Sequence, residues 1–125
     1  MTPDEVVAAS GGAVHRVVFK PSKHPDALKL HGVECIGSYN SGAFRFILNF
    51  EFDRKTHGVQ RVELMLLDNK KEPELLEAMQ GKYGACQKDR PWIDAANGNY
   101  IYLDYVAGMA VVDYDRLLAT ETVGL

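Results

Sequence analysis

Hydrophobic and polar residues alternate most regularly between Phe44 and Phe52. Phe44, Phe46, Leu48, Phe50 and Phe52 fall on one face, Arg45, Asn49 and Glu51 on the other, with Ile47 between them. A period of two over nine residues predicts a half-buried antiparallel strand. Asp53 to Gly58 is a polar loop, and Val59 to Leu67 returns as the partner strand. Burial of such side chains contributes roughly 1.5–3 kcal/mol each, which makes this hairpin the expected centre of the core. Upstream, Thr2-Pro3-Asp4-Glu5 combines a hydroxyl N-cap, proline at the first helical position and glutamate at the third, the signature of a capped helix. Ser10-Gly11-Gly12 ends that helix after about two turns. Val14 to Lys20 reads as a short strand ended by Pro21, residues 21–32 as a loop, and Val33 to Tyr39 as a strand before the turn signal Asn40-Ser41-Gly42.

Downstream, Asp68 to Glu72 is a charged connection. Pro73 then opens a helix with Leu75, Leu76, Met79 and Tyr83 on one face and Gly84 as its terminator, its last turn weakened by Gly81. Residues 85–99 read as irregular or partly extended, with Trp92 and an Asn97-Gly98 turn signal. Tyr100 to Val106 and Met109 to Tyr114 form a hairpin around Ala107-Gly108, and the chain frays from about Ala119. The order α-β-β-β-β-α-β-β describes a single α+β domain spanning residues 1–125, an antiparallel sheet with helices on one face.

Composition narrows the class without naming an activity. A chain of 125 residues with 46% hydrophobic and 25% charged content is an ordinary globular domain. At that length about two-thirds of the unfolded surface can be buried, so no metal or disulfide staple is required. No apolar run approaches the ~18 residues of a membrane-spanning helix. The net charge of −3 argues against a sequence-independent nucleic-acid binder. Charge is uneven: residues 1–62 hold eight Lys/Arg and six Asp/Glu, residues 63–125 six and eleven. The basic stretch around Arg16, Lys20, Lys23 and Lys29 reads as a solvated surface or a contact for an acidic partner or lipid headgroups.

Candidate chemistry is sparse, and no cofactor is implied. His15, His24, His31 and His57 match no metal-ligand spacing. Ser10, Ser22, Ser38 and Ser41 lack the context of a nucleophile elbow. Gly11-Gly12 ends a helix instead of opening one, so it makes no phosphate loop. Asp113 and Asp115 could share a strand face and bind a cation, though a solvated strand edge is the simpler reading. Catalytic and metal-ligating residues are therefore expected to be none. Aromatic residues offer more. Tyr100 and Tyr102 share one face of the last hairpin with Asp104, and Trp92 lies nearby in sequence. If Ile101, Leu103 and Tyr105 face the core, the first set forms a partly exposed surface rich in residues that dominate protein-binding hot spots. Tyrosines packed under a loop with wet hydroxyls are the alternative.

The opening Met1-Thr2-Pro3-Asp4-Glu5-Val6 with Gly12 at the following turn resembles that of small bacterial envelope proteins, the SmpA/OmlA-type and β-lactamase-inhibitor-like group. Leu76, Lys82-Tyr83-Gly84, Trp92 and the Tyr100–Tyr114 hairpin resemble a motif of related periplasmic domains. The resemblance implies an exported, non-enzymatic module that binds another protein, inhibitors and immunity proteins included. A chain that begins at a helix cap fits removal of an upstream signal; a cytoplasmic protein starting here is the alternative. In an exported domain, Cys35 on a strand and Cys86 just past the second helix are candidates for a disulfide. It would close about 52 residues and contribute roughly 4 kcal/mol, whereas an unpaired cysteine would be a small buried hydrophobe. The first functional expectation is thus an envelope domain binding a protein partner through Tyr100, Tyr102 and Trp92. The second is a small-molecule carrier or enzyme with a pocket between the sheet and the second helix. A pocket of several hundred cubic ångströms lined by Phe and Tyr favours the second, a filled core with a flat aromatic patch the first.

Overall fold

A computed structural model describes residues 1–18, 32–85, 91–94, 96–106 and 108–116. Helix α1 (Pro3–Ala9) is followed by β1 (Val14–Arg16), β2 (Val33–Ser41), β3 (Phe44–Phe52) and β4 (Val59–Leu66). A single 3-10 turn (Asn69–Lys71) leads into α2 (Glu72–Tyr83), then β5 (Trp92–Asp94), β6 (Asn99–Val106) and β7 (Met109–Arg116). The strands form one antiparallel sheet in the order β1-β2-β3-β4-β7-β6-β5. After β4 the chain passes through α2 to the far edge at β5 and returns through β6 to β7, which pairs with β4. The α+β class and the antiparallel sheet are as the sequence predicts.

Three details differ. β5 is a further strand inside the stretch read as irregular or partly extended. Its residues pair with Ile101, Tyr100 and Asn99, and the Asp94 carboxylate accepts from the Asn97 side-chain amide at 2.7 Å, which closes the turn between them. β2 runs on to Ser41, because Asn40 and Ser41 pair with Arg45 and Phe44 and leave only a tight turn at Gly42. β1 ends at Arg16, and the expected strand residues 19–20 and the loop at 21–31 lie outside the described residues.

Local chemistry explains the elements. Both halves of the capping box at α1 form: the Thr2 amide donates to Glu5 Oε1 at 3.1 Å, and the Glu5 amide donates to Thr2 Oγ1 at 3.3 Å. Pro3 and Val6 then bury their side chains. α1 lies over β1 and β2. Gly37 permits the close approach there, since a Cβ at that position would come within 2.3 Å of the Ala13 carbonyl oxygen. α2 ends at Gly84, whose φ of 100° is open to glycine at no steric cost. The indole N–H of Trp92 donates to the Gly84 carbonyl at 3.0 Å and its ring lies beside Tyr83, tying β5 to the end of α2.

The core lies between the sheet and the two helices. Phe46, Leu48 and Phe52 of β3 are buried there with Leu64 and Leu66 of β4, Ile101, Ala110 and Val112 of the last hairpin, and Leu75 and Met79 of α2. Phe44, Phe50, Leu76 and Tyr83 pack against this cluster while staying partly accessible. The predicted inward face of β3 is therefore the observed one. Its outward face is less wet than alternation suggests: Asn49 is 8% and Glu51 5% exposed. Longer neighbours shield both, because Met65 Sδ lies 4.0 Å from the Asn49 amide nitrogen and Arg61 Nε 3.5 Å from a Glu51 carboxylate oxygen.

Candidate functional site

On the helix-bearing face, the core is not filled from end to end. Among the described residues α1 packs on β1 and β2 and α2 on β5, and no helix residue lines the stretch over Leu48, Phe50, Val62 and Tyr114. A groove of about 750 Å³ occupies it. Its floor is built by cross-strand neighbours, with Leu48 opposite Leu64 and Phe50 opposite Val62, and Val62 in turn opposite Tyr114. Leu48 and Leu64 are buried, whereas Phe50, Val62 and Tyr114 keep part of their surface accessible along the walls. Met1 stands at one margin, fixed where its carbonyl accepts the Val59 amide at 3.0 Å. Asn97, Gly98 and Asn99 from the turn before β6, together with Gln60, supply polar groups at the rim. Tyr39, whose ring stacks on Phe46 at 6.4 Å, closes the other end.

Among the described residues, no Asp, Glu, Lys, Arg or His side chain lines the groove. Its ionisable side chains are the phenols of Tyr39 and Tyr114. Burial pushes the Tyr114 phenol well above its ordinary value, helped by the neighbouring phenol of Tyr83, a hydrogen bond with it, and the nearby Tyr39 and Asp94. Tyr114 therefore stays protonated at any physiological pH and offers a hydroxyl at the end of an apolar trough. Such a set of groups can hold an uncharged, largely apolar molecule and orient one polar atom of it.

The aromatic residues singled out in the sequence do not form one surface. Tyr100 and Tyr102 lie together on the sheet face opposite the core cluster, with ring centroids 6.5 Å apart, and Tyr102 is 38% exposed. Trp92 belongs to the core instead, 8% exposed and bonded to the end of α2, so it is separated from that pair by the sheet itself. Ile101 is fully buried and Leu103 packs on the core as expected, but Tyr105 is 49% exposed near the hairpin tip. Cys35 is a free, buried thiol directed at the Pro3 carbonyl, and burial raises its pKa. Cys86 lies outside the described residues, as do His24 and His31. His15 and His57 are exposed, and the described residues contain no group of three or more His, Cys, Asp or Glu placed to hold a metal ion.

Asp113 and Asp115 occupy the middle of the sheet and not an edge, because β7 sits between β4 and β6. The Asp115 carboxylate accepts from Arg61 Nε at 2.8 Å and from Nη2 at 3.3 Å. Asp113, opposite Glu63, is pushed up to about 6, first by burial and then by Glu63, Asp115 and Asp104, against the opposing pull of Arg61. Its Oδ1 is buried and has no hydrogen-bond donor among the described residues. The groove itself had only faint sequence signals: Phe50 read as an ordinary inward strand residue, Tyr114 was only the end of the last strand, and nothing local shows that β7 brings them to one trough.

No protein-family model, characterised protein or solved structure matches this chain.

Proposed function

We propose that this domain is a non-catalytic binding module whose ligand is an uncharged, mainly apolar small molecule held in the groove over β3, β4 and β7. The observation that carries the reading is the groove's size combined with its lining: about 750 Å³ with apolar and aromatic walls and no charged side chain among the described residues. That volume lies within the ~300–1,000 Å³ usual for small-molecule sites. The apolar body of the ligand lies along Leu48, Phe50, Val62 and Leu64, and its one polar group meets the Tyr114 hydroxyl or the amides of Asn97 and Asn99. Of the two expectations drawn from the sequence, this is the small-molecule one. The envelope location implied by the family resemblance is a separate proposal, tested by cell fractionation.

The experiment is a titration with a neutral, environment-sensitive dye, N-phenyl-1-naphthylamine, followed by fluorescence. Saturable binding at one dye per chain is expected. Val62→Phe, which fills the floor with a larger apolar side chain, should weaken it about tenfold or more while thermal unfolding moves by only a few degrees. Non-saturable uptake, or equal affinity in the Val62→Phe variant, contradicts the proposal.

A further inference from the structure

The turn between β5 and β6 carries the only Asn-Gly pair in the chain, Asn97-Gly98. Asn97 is exposed, and Gly98 takes a φ of 70°. Asn97 is also the latch of this turn. Its backbone N–H donates to Asp94 Oδ1 at 3.4 Å, and its side-chain amide donates to Asp94 Oδ2 at 2.7 Å. Asp94 is the last residue of β5 and pairs with Asn99 at the start of β6. The other asparagines are less open to attack on their side-chain amides. Asn40, Asn49, Asn69 and Asn99 precede Ser41, Phe50, Lys70 and Tyr100, whose Cβ atoms crowd the adjoining backbone nitrogen, and Asn49 is only 8% exposed.

We infer that Asn97 is a site of spontaneous deamidation whose product unlatches β5 from β6. Hydroxide takes the proton of the Gly98 backbone nitrogen, which then attacks Asn97 Cγ. A bond forms between them, the Cγ–Nδ2 bond breaks, and Nδ2 leaves as ammonia with a proton returned by water. The resulting five-membered imide takes up one water molecule. Opening at Cγ leaves aspartate at position 97, whereas opening at the main-chain carbonyl leaves isoaspartate, with one more carbon in the chain. Nothing is oxidised or reduced. Glycine favours ring closure because it has no Cβ beside the attacking nitrogen and its backbone rotates freely. Either product replaces the donor of the 2.7 Å bond with a carboxylate oxygen facing the Asp94 carboxylate. Like charges that close disfavour each other's ionised form, and an exposed turn relieves the conflict by opening. Trp92 remains bonded to the Gly84 carbonyl, so the loosening is centred on the Asp94 end of β5. The site does not depend on the groove holding a ligand.

The intact chain is incubated at 37 °C and pH 8, and the tryptic peptide spanning residues 89–116 is sequenced by tandem mass spectrometry. A gain of about 1 Da should localise to Asn97, with one ammonia released per gain and isoaspartate in part of the product. The reaction should slow about tenfold or more at pH 6, where less of the Gly98 nitrogen is deprotonated, and by a similar factor in Gly98→Ala at pH 8. Asn97→Asp makes one product directly. Its hydrogen exchange should quicken about threefold or more over Trp92–Asp94 while Phe44–Phe52 keeps the parent rate. Combining it with Asp94→Asn returns a donor to the pair and should restore the parent rate in β5. A gain at Asn49 or Asn69 as fast as at Asn97, an equal rate in Gly98→Ala, or unchanged exchange in Asn97→Asp would each overturn the inference.

Discussion

Asp113→Asn should stabilise this protein at neutral pH and leave it unchanged in acid. Folding moves this carboxyl from an ordinary value of 3.8 up to about 6, so the folded chain holds the proton more tightly than the unfolded one. The sign follows from proton linkage: between those two values the native state carries more protons, and stability falls as pH rises. Below about pH 4 both states are protonated and the penalty is absent. Above about pH 6 it is fully present. Raising a carboxyl from 3.8 to about 6 corresponds to ~3 kcal/mol for a wholly buried group, at about 1.4 kcal/mol per tenfold change in proton affinity. Asp113 is only partly buried, and solvent screening cuts the usable figure to about 1–2 kcal/mol. With a urea slope of about 1–3 kcal/mol/M, the unfolding midpoint should rise by about 0.5–1 M at pH 7.5. It should converge with that of the parent at pH 4. The difference between the two proteins isolates this group from the other titrating carboxylates. A loss of stability at pH 7.5, or a gain of the same size at pH 4, would refute the reasoning.

Further outcomes follow from the same structure. Phe46→Ala and Phe52→Ala should each cost roughly 3–5 kcal/mol by chemical denaturation, whereas Ile47→Ala should cost under about 1 kcal/mol, because Ile47 is 38% exposed on the other face. Gly37→Ala should destabilise by roughly 1–3 kcal/mol, since its Cβ would meet the Ala13 carbonyl at 2.3 Å. Hydrogen exchange should then quicken first at the Ser38 amide, which donates to the Ala13 carbonyl at this contact, and next at the Val17 amide, which donates to Glu34 farther along the β1–β2 pairing, before the β3–β4 hairpin responds. Cys35 should resist Ellman's reagent in the folded protein and react once denatured without reductant, as its thiol is free and buried; a Cys35 that stays blocked after denaturation would show a disulfide after all.

Much of this fold was legible because its strands bury one face. Phe44 to Phe52 announces both strand and facing, and turn chemistry at Asn97-Gly98 and Gly108 brackets the last hairpin. Strand order was harder. Nothing in residues 109–116 shows that β7 joins β4, so Asp113 and Asp115 read as edge residues although the pairing puts them mid-sheet. Trp92 read as a surface aromatic because its burial depends on α2, whose terminal carbonyl at Gly84 it needs as a hydrogen-bond acceptor. The groove is built by side chains of β3, β4 and β7 together with Met1, Tyr39 and the turn at Asn97–Asn99, brought together only by the strand order. Local periodicity carries no information about such a groove, and the inward-facing pattern of Leu48, Phe50 and Val62 is the same whether a helix or a ligand covers them.

The proposed function requires an uncharged apolar ligand in that groove. Nuclear Overhauser contacts between bound N-phenyl-1-naphthylamine and the labelled protein test it most directly. Contacts from the dye to the side chains of Leu48, Val62 and Leu64, with the Tyr114 ring at one end, are the predicted result. Contacts to Ile47 and Tyr102 across the sheet, or to none of the groove residues at saturation, would contradict it.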